Sequence, residues 1–397
     1  MTSRTFVPWL VAIVAAGPLQ VDVRPAARQQ PPAGAVTTEE LQAAIENLGR
    51  LDHGVRMTAS RTVRRAPARE AVQALTKAAT GHTDGYVRYR ALVLLSGFNN
   101  PRARDVMEQA LGDPNDRLRA VAYTYFEHNT DLTVVPILLG ALEREQSEFV
   151  RPQLTRALAA YGADPKVRAA MRPLIDRGVD FFRSAVIEAL GDYRAAWAVD
   201  AIDGVAGLDG PLQDDAVLAL GKIGDGRSLA RLAELQRSAT REHQPAIAAA
   251  ICLLGVNCGS HLPFIVETLA FGIDQHGYQT LVRAASNALA VLAVAGRADA
   301  AATLFDRGIG ARDPARSPMA LAAGAVAIRN PTLMLSVLES RADLEGAVLM
   351  LRDAFDMLEE DYEEERFFVA VRRAYWAAAE GSPGRRVADM LIQRLEF

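Results

Sequence analysis

The sequence predicts an all-α protein folded as an alpha-solenoid, a superhelix of antiparallel helix pairs. Three observations lead there. From about residue 38 onward, Ala, Leu and Arg recur at helical spacing with little β-branched alternation. Gly, Pro, Asp or Asn breaks that pattern often enough to cut it into short helices. One segment also returns along the chain: an apolar residue, usually an Arg, then Ala and Leu positions spaced to share a helical face. Arg88, Arg119, Arg151 and Arg183 mark the first copies, Gln213 and Ile247 stand at the equivalent places, and Arg283, Met319 and Arg352 continue the series. The steps are 31, 32, 32, 30, 34, 36, 36 and 33 residues. A near-constant period of this size means that each unit buries its apolar face only against its neighbours.

Composition agrees with a folded chain and excludes several classes. Of 397 residues, 50% are hydrophobic and 23% charged, with a formal net charge of −4, so neither disorder nor a global attraction to nucleic acid or anionic lipid follows. Two cysteines cannot staple a chain of this length or supply a four-thiolate zinc site.

Taken in order, residues 1–24 read as a signal peptide. Arg4 precedes an apolar run from Phe6 to Ala16 that Gly17-Pro18 ends, too short to span a bilayer and without a clear cleavage site. Residues 25–37, with Pro25, Pro31, Pro32 and Arg28-Gln29-Gln30, read as a disordered linker. Thr38-Glu39-Glu40-Leu41 opens the first helix. The solenoid is expected over 38–382. Gly191, Gly221 and Gly255 are expected to stop helices in a left-handed turn. Pro101, Pro114, Pro165 and Pro245 stand near helix starts, and Asp113 is placed to cap the helix after Pro114. Residues 383–397, with Arg385, Arg386, Asp389, Gln393, Arg394 and Glu396, read as a polar C-terminal capping helix.

The stretch Ala-Leu-Gly-Asp-Pro-Asn-Asp-Arg-Leu-Arg-Ala, Ala110 to Ala120, and the stretch Ala216-Val-Leu-Ala-Leu-Gly-Lys-Ile-Gly-Asp225 resemble HEAT repeats, in particular the short HEAT-like repeats of phycobilin lyases. The resemblance covers about residues 80–350, is strongest from 110 to 225, and implies architecture rather than activity. It also implies that the arginines at 88, 119, 151 and 183 bridge adjacent units through turn carboxylates and carbonyls instead of forming an anion-binding ladder.

Two charge clusters stand out. Between Arg50 and Arg90 nine cations face only Asp52, Glu70 and Asp84. Arg61, Arg65 and Arg69 recur at i, i+4 and, with Arg64, form a candidate surface for an acidic partner, read against a simple solvated face. No aromatic lies between Leu51 and Gly85 to stack bases, which disfavours nucleic acid. Glu359, Glu360, Asp361, Glu363, Glu364 and Glu365 read as a charged linker, since they lack calcium-loop spacing. Lying at opposite ends of the array, the clusters also suggest head-to-tail self-association. The histidines form no His-x-x-x-His pair. Glu127-His128 and Glu242-His243 run in reversed order and do not recur as the His-Glu dyads of deoxyhypusine hydroxylase, so no metal site is expected. Cys252 and Cys258, six residues apart around a helix end, are candidates for a local disulfide in an oxidising compartment and for two small core residues in a reducing one.

No nucleophile elbow, phosphate loop or dinucleotide fingerprint occurs, and Gly221 to Gly226 follows a helix in a repeat turn. The expectation is a non-enzymatic scaffold that binds another protein, without cofactor or nucleic acid, periplasmic or secreted, and monomeric or weakly self-associating. The alternatives are an enzyme subunit of the phycobilin-lyase type, which would be cytoplasmic, and a HEAT-like nucleic-acid-binding protein.

Overall fold

The computed structural model describes residues 36–275, 277–358 and 361–397. The expected signal peptide, most of the linker, His276, Glu359 and Glu360 lie outside the described residues. The described residues form helices joined by short turns, with no strand among them. In chain order they are α1 (Thr38–Asn47), α2 (His53–Arg65), α3 (Ala68–Gly81), α4 (Gly85–Ser96), α5 (Pro101–Ala110), α6 (Asp116–His128), α7 (Val135–Arg144), α8 (Arg151–Ala160), α9 (Pro165–Met171), α10 (Asp180–Asp192) and α11 (Val199–Ala206). They continue as α12 (Gln213–Ile223), α13 (Leu229–Ser238), α14 (Gln244–Leu253), α15 (Cys258–Asp274), α16 (Gln279–Val294), α17 (Ala298–Gly308), α18 (Arg316–Arg329), α19 (Pro331–Glu339), α20 (Leu344–Leu358), α21 (Asp361–Ala377) and α22 (Pro383–Arg394).

Short polar turns fix the helix starts. The side chains of Asp52, Asp84, Asn100, Asn115 and Asp164 each accept a backbone N–H of the first turn they precede, a cap that stabilises by about 1 kcal/mol. Thr37 forms a full capping box with Glu40, one residue earlier than the sequence suggested. Asn115, not Asp113, caps α6. Asp113 instead accepts the Asn115 N–H and pairs with Arg88.

The even-numbered helices from α4 to α20 pack one on the next as a continuous layer, and the odd-numbered helices back them. Their contact faces are almost wholly apolar: Val186, Leu190, Ala216, Leu220, Ala250 and Leu289 are sealed from solvent. Gly191 and Gly221 lie inside α10 and α12, which corrects their assignment as helix stops. A Cβ on Gly191 would sit 2.8 Å from the Ala219 Cα, and one on Gly221 would sit 2.6 Å from the Ala250 Cα. Glycine is needed there because successive helices touch backbone to backbone. The left-handed ends fall at Gly224 (φ 80°) and Gly255 (φ 78°).

The repeated first-turn polar residues tie each helix pair together, and Arg88, Arg119 and Arg151 also reach the next unit. Arg88 donates to the Ala79 carbonyl and pairs with Asp113 of the next unit. Arg119 grips Glu145 through Nε and Nη2, both at 2.8 Å, and also reaches the Asp113 carbonyl. Arg183 donates to the Ile175 carbonyl at 2.9 Å, and Gln213 repeats the move to the Ala206 carbonyl at 3.1 Å. Arg151 lies 4.1 Å above the Phe182 ring. These groups stitch the repeat together.

Arg61, Arg65 and Arg69 do not share a helical face. Ala66 is extended (ψ 155°) and Pro67 follows it, so α2 ends at Arg65 and Arg69 belongs to α3. No single helix among the described residues is long and apolar enough to cross a membrane.

Candidate protein-interaction site

Helix α21 touches α4 near the start of the array and α18 near its end, so the stack curls and its even-numbered layer faces inward around α21. The acidic residues that open α21 suit the positive end of a helix dipole, and they meet the basic cluster of the same chain. Arg64 donates through Nε and Nη2 to Glu365 at 2.9 and 2.6 Å, with side chains only 5% and 1% exposed. Gly97 makes room for that carboxylate, since a Cβ there would lie 2.5 Å from the Glu365 Oε1. Arg90 pairs with Asp361 at 2.5 Å, and the Tyr89 hydroxyl donates to the same carboxylate. Burial and that neighbouring carboxylate push the Tyr89 phenol far above its ordinary range. Arg61 reaches Glu396 at 2.9 Å. Arg65 and Arg69 remain exposed. Thus Arg61 and Arg64, expected to face an external acidic partner, are paired with carboxylates of the same chain, and the charge pairing behind the suggested head-to-tail association is made within one chain. Tyr362, Glu363 and Glu365 are buried helix residues, not a solvated linker.

A string of charges lines the inner layer. Glu127 pairs with Arg156 at 3.2 Å, Arg156 with Asp192 at 3.0 Å, and Asp192 with Lys222 at 2.8 Å, while the Tyr193 hydroxyl donates to Glu127. At its end, Glu127, His128 and Glu363 bring three potential ligand atoms within 4.8 Å of one another. Glu363 already holds the His128 Nε2 at 2.6 Å and Arg366 at 2.5 Å. Burial alone would raise the Glu363 carboxyl, but its bond to His128 and the charges of Arg366 and Arg329 win and hold it at about 2. Two guanidinium groups therefore occupy the charge that a cation would need, and the cluster reads as an interlock between α6 and α21.

A cleft of about 850 Å³ opens between the first and last turns of the array. Tyr86, Arg117 and Phe149 line one side, and Arg352, Phe355 and Phe368 line another. Tyr86, Arg117, Phe149 and Phe181 each stand two residues before Arg88, Arg119, Arg151 and Arg183, so they occupy one repeat position at the starts of α4, α6, α8 and α10. Phe149 is 84% exposed and Phe181 67%. The Arg117 guanidinium lies 5.8 Å from both the Tyr86 and Tyr89 ring centres, and no carboxylate pairs with it among the described residues. Sequence reasoning missed this row because it used the arginines as a ruler and did not ask what stood two places before them.

Cys252, in the last turn of α14, is bonded to Cys258 at the start of α15, with Cα atoms 4.4 Å apart. Gly255 and Asn257, both at positive φ, turn the chain between them.

No curated protein matches the chain. Among solved structures, YibA of E. coli is 15% identical with a TM-score of 0.42, covering 56% of this chain and 83% of its own. A chain in a structure of Kap95p bound to RanGDP is 14% identical at TM-score 0.36, covering 90% of this chain and 54% of its own. A chain in the complex of CpcE and CpcF of phycocyanin lyase from Nostoc sp. PCC7120 is 18% identical at TM-score 0.27, covering 84% and 99%. The family model for HEAT repeats matches residues 41–127, starting well before the expected residue 80, and the model for the PBS lyase HEAT-like repeat matches residues 212–238. With those matches placed on an all-helical array of stacked pairs, the chain carries HEAT repeats over residues 41–127 and a HEAT-like repeat of the PBS-lyase type over residues 212–238.

Proposed function

We propose that this chain is a non-catalytic scaffold that binds another protein, that it is exported to the periplasm or secreted, and that it works as a monomer. A HEAT solenoid offers a long contact surface and is typical of interaction scaffolds. In this molecule α21 packs against the inner layer, and the cleft at the rim offers a surface to a partner. The observation that carries the reading is one position of four successive units, where Arg117, Phe149 and Phe181 stand in solvent and Tyr86 is half-buried beside Arg117, with Tyr86, Arg117 and Phe149 lining the cleft. Exposed aromatics arrayed in register are a costly surface for a chain with no partner. Export is supported by the short apolar run after Arg4 and by the Cys252–Cys258 bond, which suits an oxidising compartment.

The test is fractionation of cells producing the full chain, followed by in-cell photocrosslinking from position 149 and mass spectrometry. Recovery outside the cytosol with one protein crosslinked at position 149 is expected. Cytosolic recovery on a pigment protein, or turnover of a small compound by the purified chain, would overturn the proposal.

A further inference from the structure

We infer that the Cys252–Cys258 bond is a thiol–disulfide exchange site, opened by an external thiol that attacks Cys258, and not a structural staple. This stands apart from the scaffold reading and gives the chain a chemistry of its own. The two sulfurs sit in unlike surroundings. Cys252, in the last turn of α14, is 7% exposed, whereas Cys258 opens α15 and is half-buried, so Cys258 presents the sulfur that a thiol in solution reaches. Arg297, the residue before α17, donates through Nη1 to the Cys258 Sγ at 3.6 Å. Asp299 accepts from Nε at 3.0 Å and from Nη2 at 2.6 Å. The guanidinium is thus held by its other two nitrogens with Nη1 aimed at the sulfur.

That setting favours the reduced form. Cys258 is the first residue of a 17-residue helix whose N-cap, Asn257, makes no side-chain cap and whose first turn holds no acid. A thiolate there meets the positive end of the helix dipole and a guanidinium hydrogen bond together, the two features that most lower a cysteine's pKa. The neighbouring charges leave this balance in place. Among the helices packed on α15, α14 carries no charged residue, α16 carries only Arg283 near its start, and α17 carries Asp306 and Arg307 in its last turn besides Asp299 in its first. Glu267 and Asp274 of α15 itself lie in its second half. The Asp299 carboxylate offsets part of the Arg297 charge but leaves the Nη1 hydrogen bond to sulfur. His261, one turn further along α15, is pushed below its ordinary range by burial and is neutral near pH 7.

The exchange transfers two electrons and consumes two external thiols. A thiolate RS⁻ bonds to the Cys258 Sγ as the disulfide breaks, and the electron pair leaves on Cys252, which takes a proton. A second RS⁻ attacks the R sulfur of that mixed disulfide and expels Cys258 as its stabilised thiolate, while the second thiol proton goes to solvent. One RS–SR forms, and Cys252–SH and Cys258–S⁻ remain. Helices α14 and α15 pack on each other and both on α16, so the hairpin keeps its place when the bond opens.

The test holds the full chain in glutathione redox buffers at pH 7, quenches with acid and reads alkylated cysteines by mass spectrometry, with circular dichroism on the same samples. Structural disulfides resist glutathione, and a disulfide whose reduced form is stabilised does not. Reduction by millimolar glutathione with the helical spectrum unchanged is expected. In the Cys252→Ser variant the Cys258 thiol should titrate at about 7.5 or below, against about 8.5 for an unperturbed cysteine, as read from the pH dependence of iodoacetamide alkylation. Arg297→Ala should move the glutathione equilibrium toward the disulfide about threefold or more and raise the Cys258 midpoint by about half a pH unit or more, while Arg297→Lys should keep most of both. The Arg297 side chain is 44% exposed, so an unchanged spectrum separates its effect on the sulfur from lost folding. A bond reduced only when the chain unfolds, a Cys258 thiol titrating at about 8.5, or an equilibrium indifferent to Arg297→Ala would overturn the inference.

Discussion

Gly221 and Gly204 are both helical glycines with opposite surroundings, and the contrast isolates what the inner layer demands. At Gly221 a methyl group would meet the Cα, Cβ and carbonyl oxygen of Ala250 at 2.6, 2.9 and 3.0 Å, and backbone cannot rotate away. Gly221→Ala should therefore destabilise by about 1–3 kcal/mol through overpacking. At Gly204 in α11 nothing lies within 4 Å, so Gly204→Ala should stabilise by about 0.5–1 kcal/mol through helix propensity. Urea midpoints of the two variants would check the opposite signs, and equal effects would contradict the close approach. Glu363 is the other residue whose surroundings decide its role. Its carboxyl, ordinarily near 4.5, is held at about 2, so its contribution is complete above pH 4.5 and is lost as pH falls toward 2. Glu363→Gln should lose on the order of 2–3 kcal/mol relative to the parent at pH 6. The gap should close as pH falls through that window, as measured by denaturation at pH 6, 4 and 2.5. A gap independent of pH would place the value of Glu363 in packing rather than in charge.

Most individual helices were legible because their information is local: apolar spacing, a capping Asp or Asn, a proline at the first turn. Helix α21 shows where local reading ends. Its first-turn acids carry the same pattern as a solvated charged linker, and only the fold brings Glu365 to Arg64 and Asp361 to Arg90, across most of the chain. The basic and acidic clusters were visible as charge, and their mutual satisfaction was not, since it depends on how far each unit rotates on the last. The Arg64–Glu365 pair tests what docks the helix. Arg64→Ala leaves Glu365 buried with Arg372 at 3.1 Å as its remaining cation, and should cost about 3–5 kcal/mol. The double variant Arg64→Met, Glu365→Leu removes both charges and should recover much of that loss, because desolvation opposes most of what a buried pair gains. Circular dichroism melts of the parent, the single and the double variant read both steps. A double variant as unstable as the single one would mean that the ion pair itself, not the avoidance of a lone charge, holds α21.

An open solenoid behaves as a one-dimensional stack in which a defect is felt by adjacent units and fades along the array. Residues 36–397 depart from that rule because α21 packs on α4 and on α18 while its side chains reach α2 and α6. The early and late units therefore share one element, and their stabilities are coupled through it. Native-state hydrogen exchange distinguishes the two behaviours, since it reports the opening free energy of each helix separately. Glu365→Gln weakens a contact that belongs to the late part of the sequence. In a simple stack the faster exchange would stay in α20, α21 and α22. In the closed array it should also reach α2 and α4, more than 250 residues earlier in sequence, while α10, α12 and α14 on the far side of the curl keep parental protection. Acceleration confined to the C-terminal helices would show that α21 rests against the first units without stabilising them, and that the rim cleft is framed by two independently opening ends.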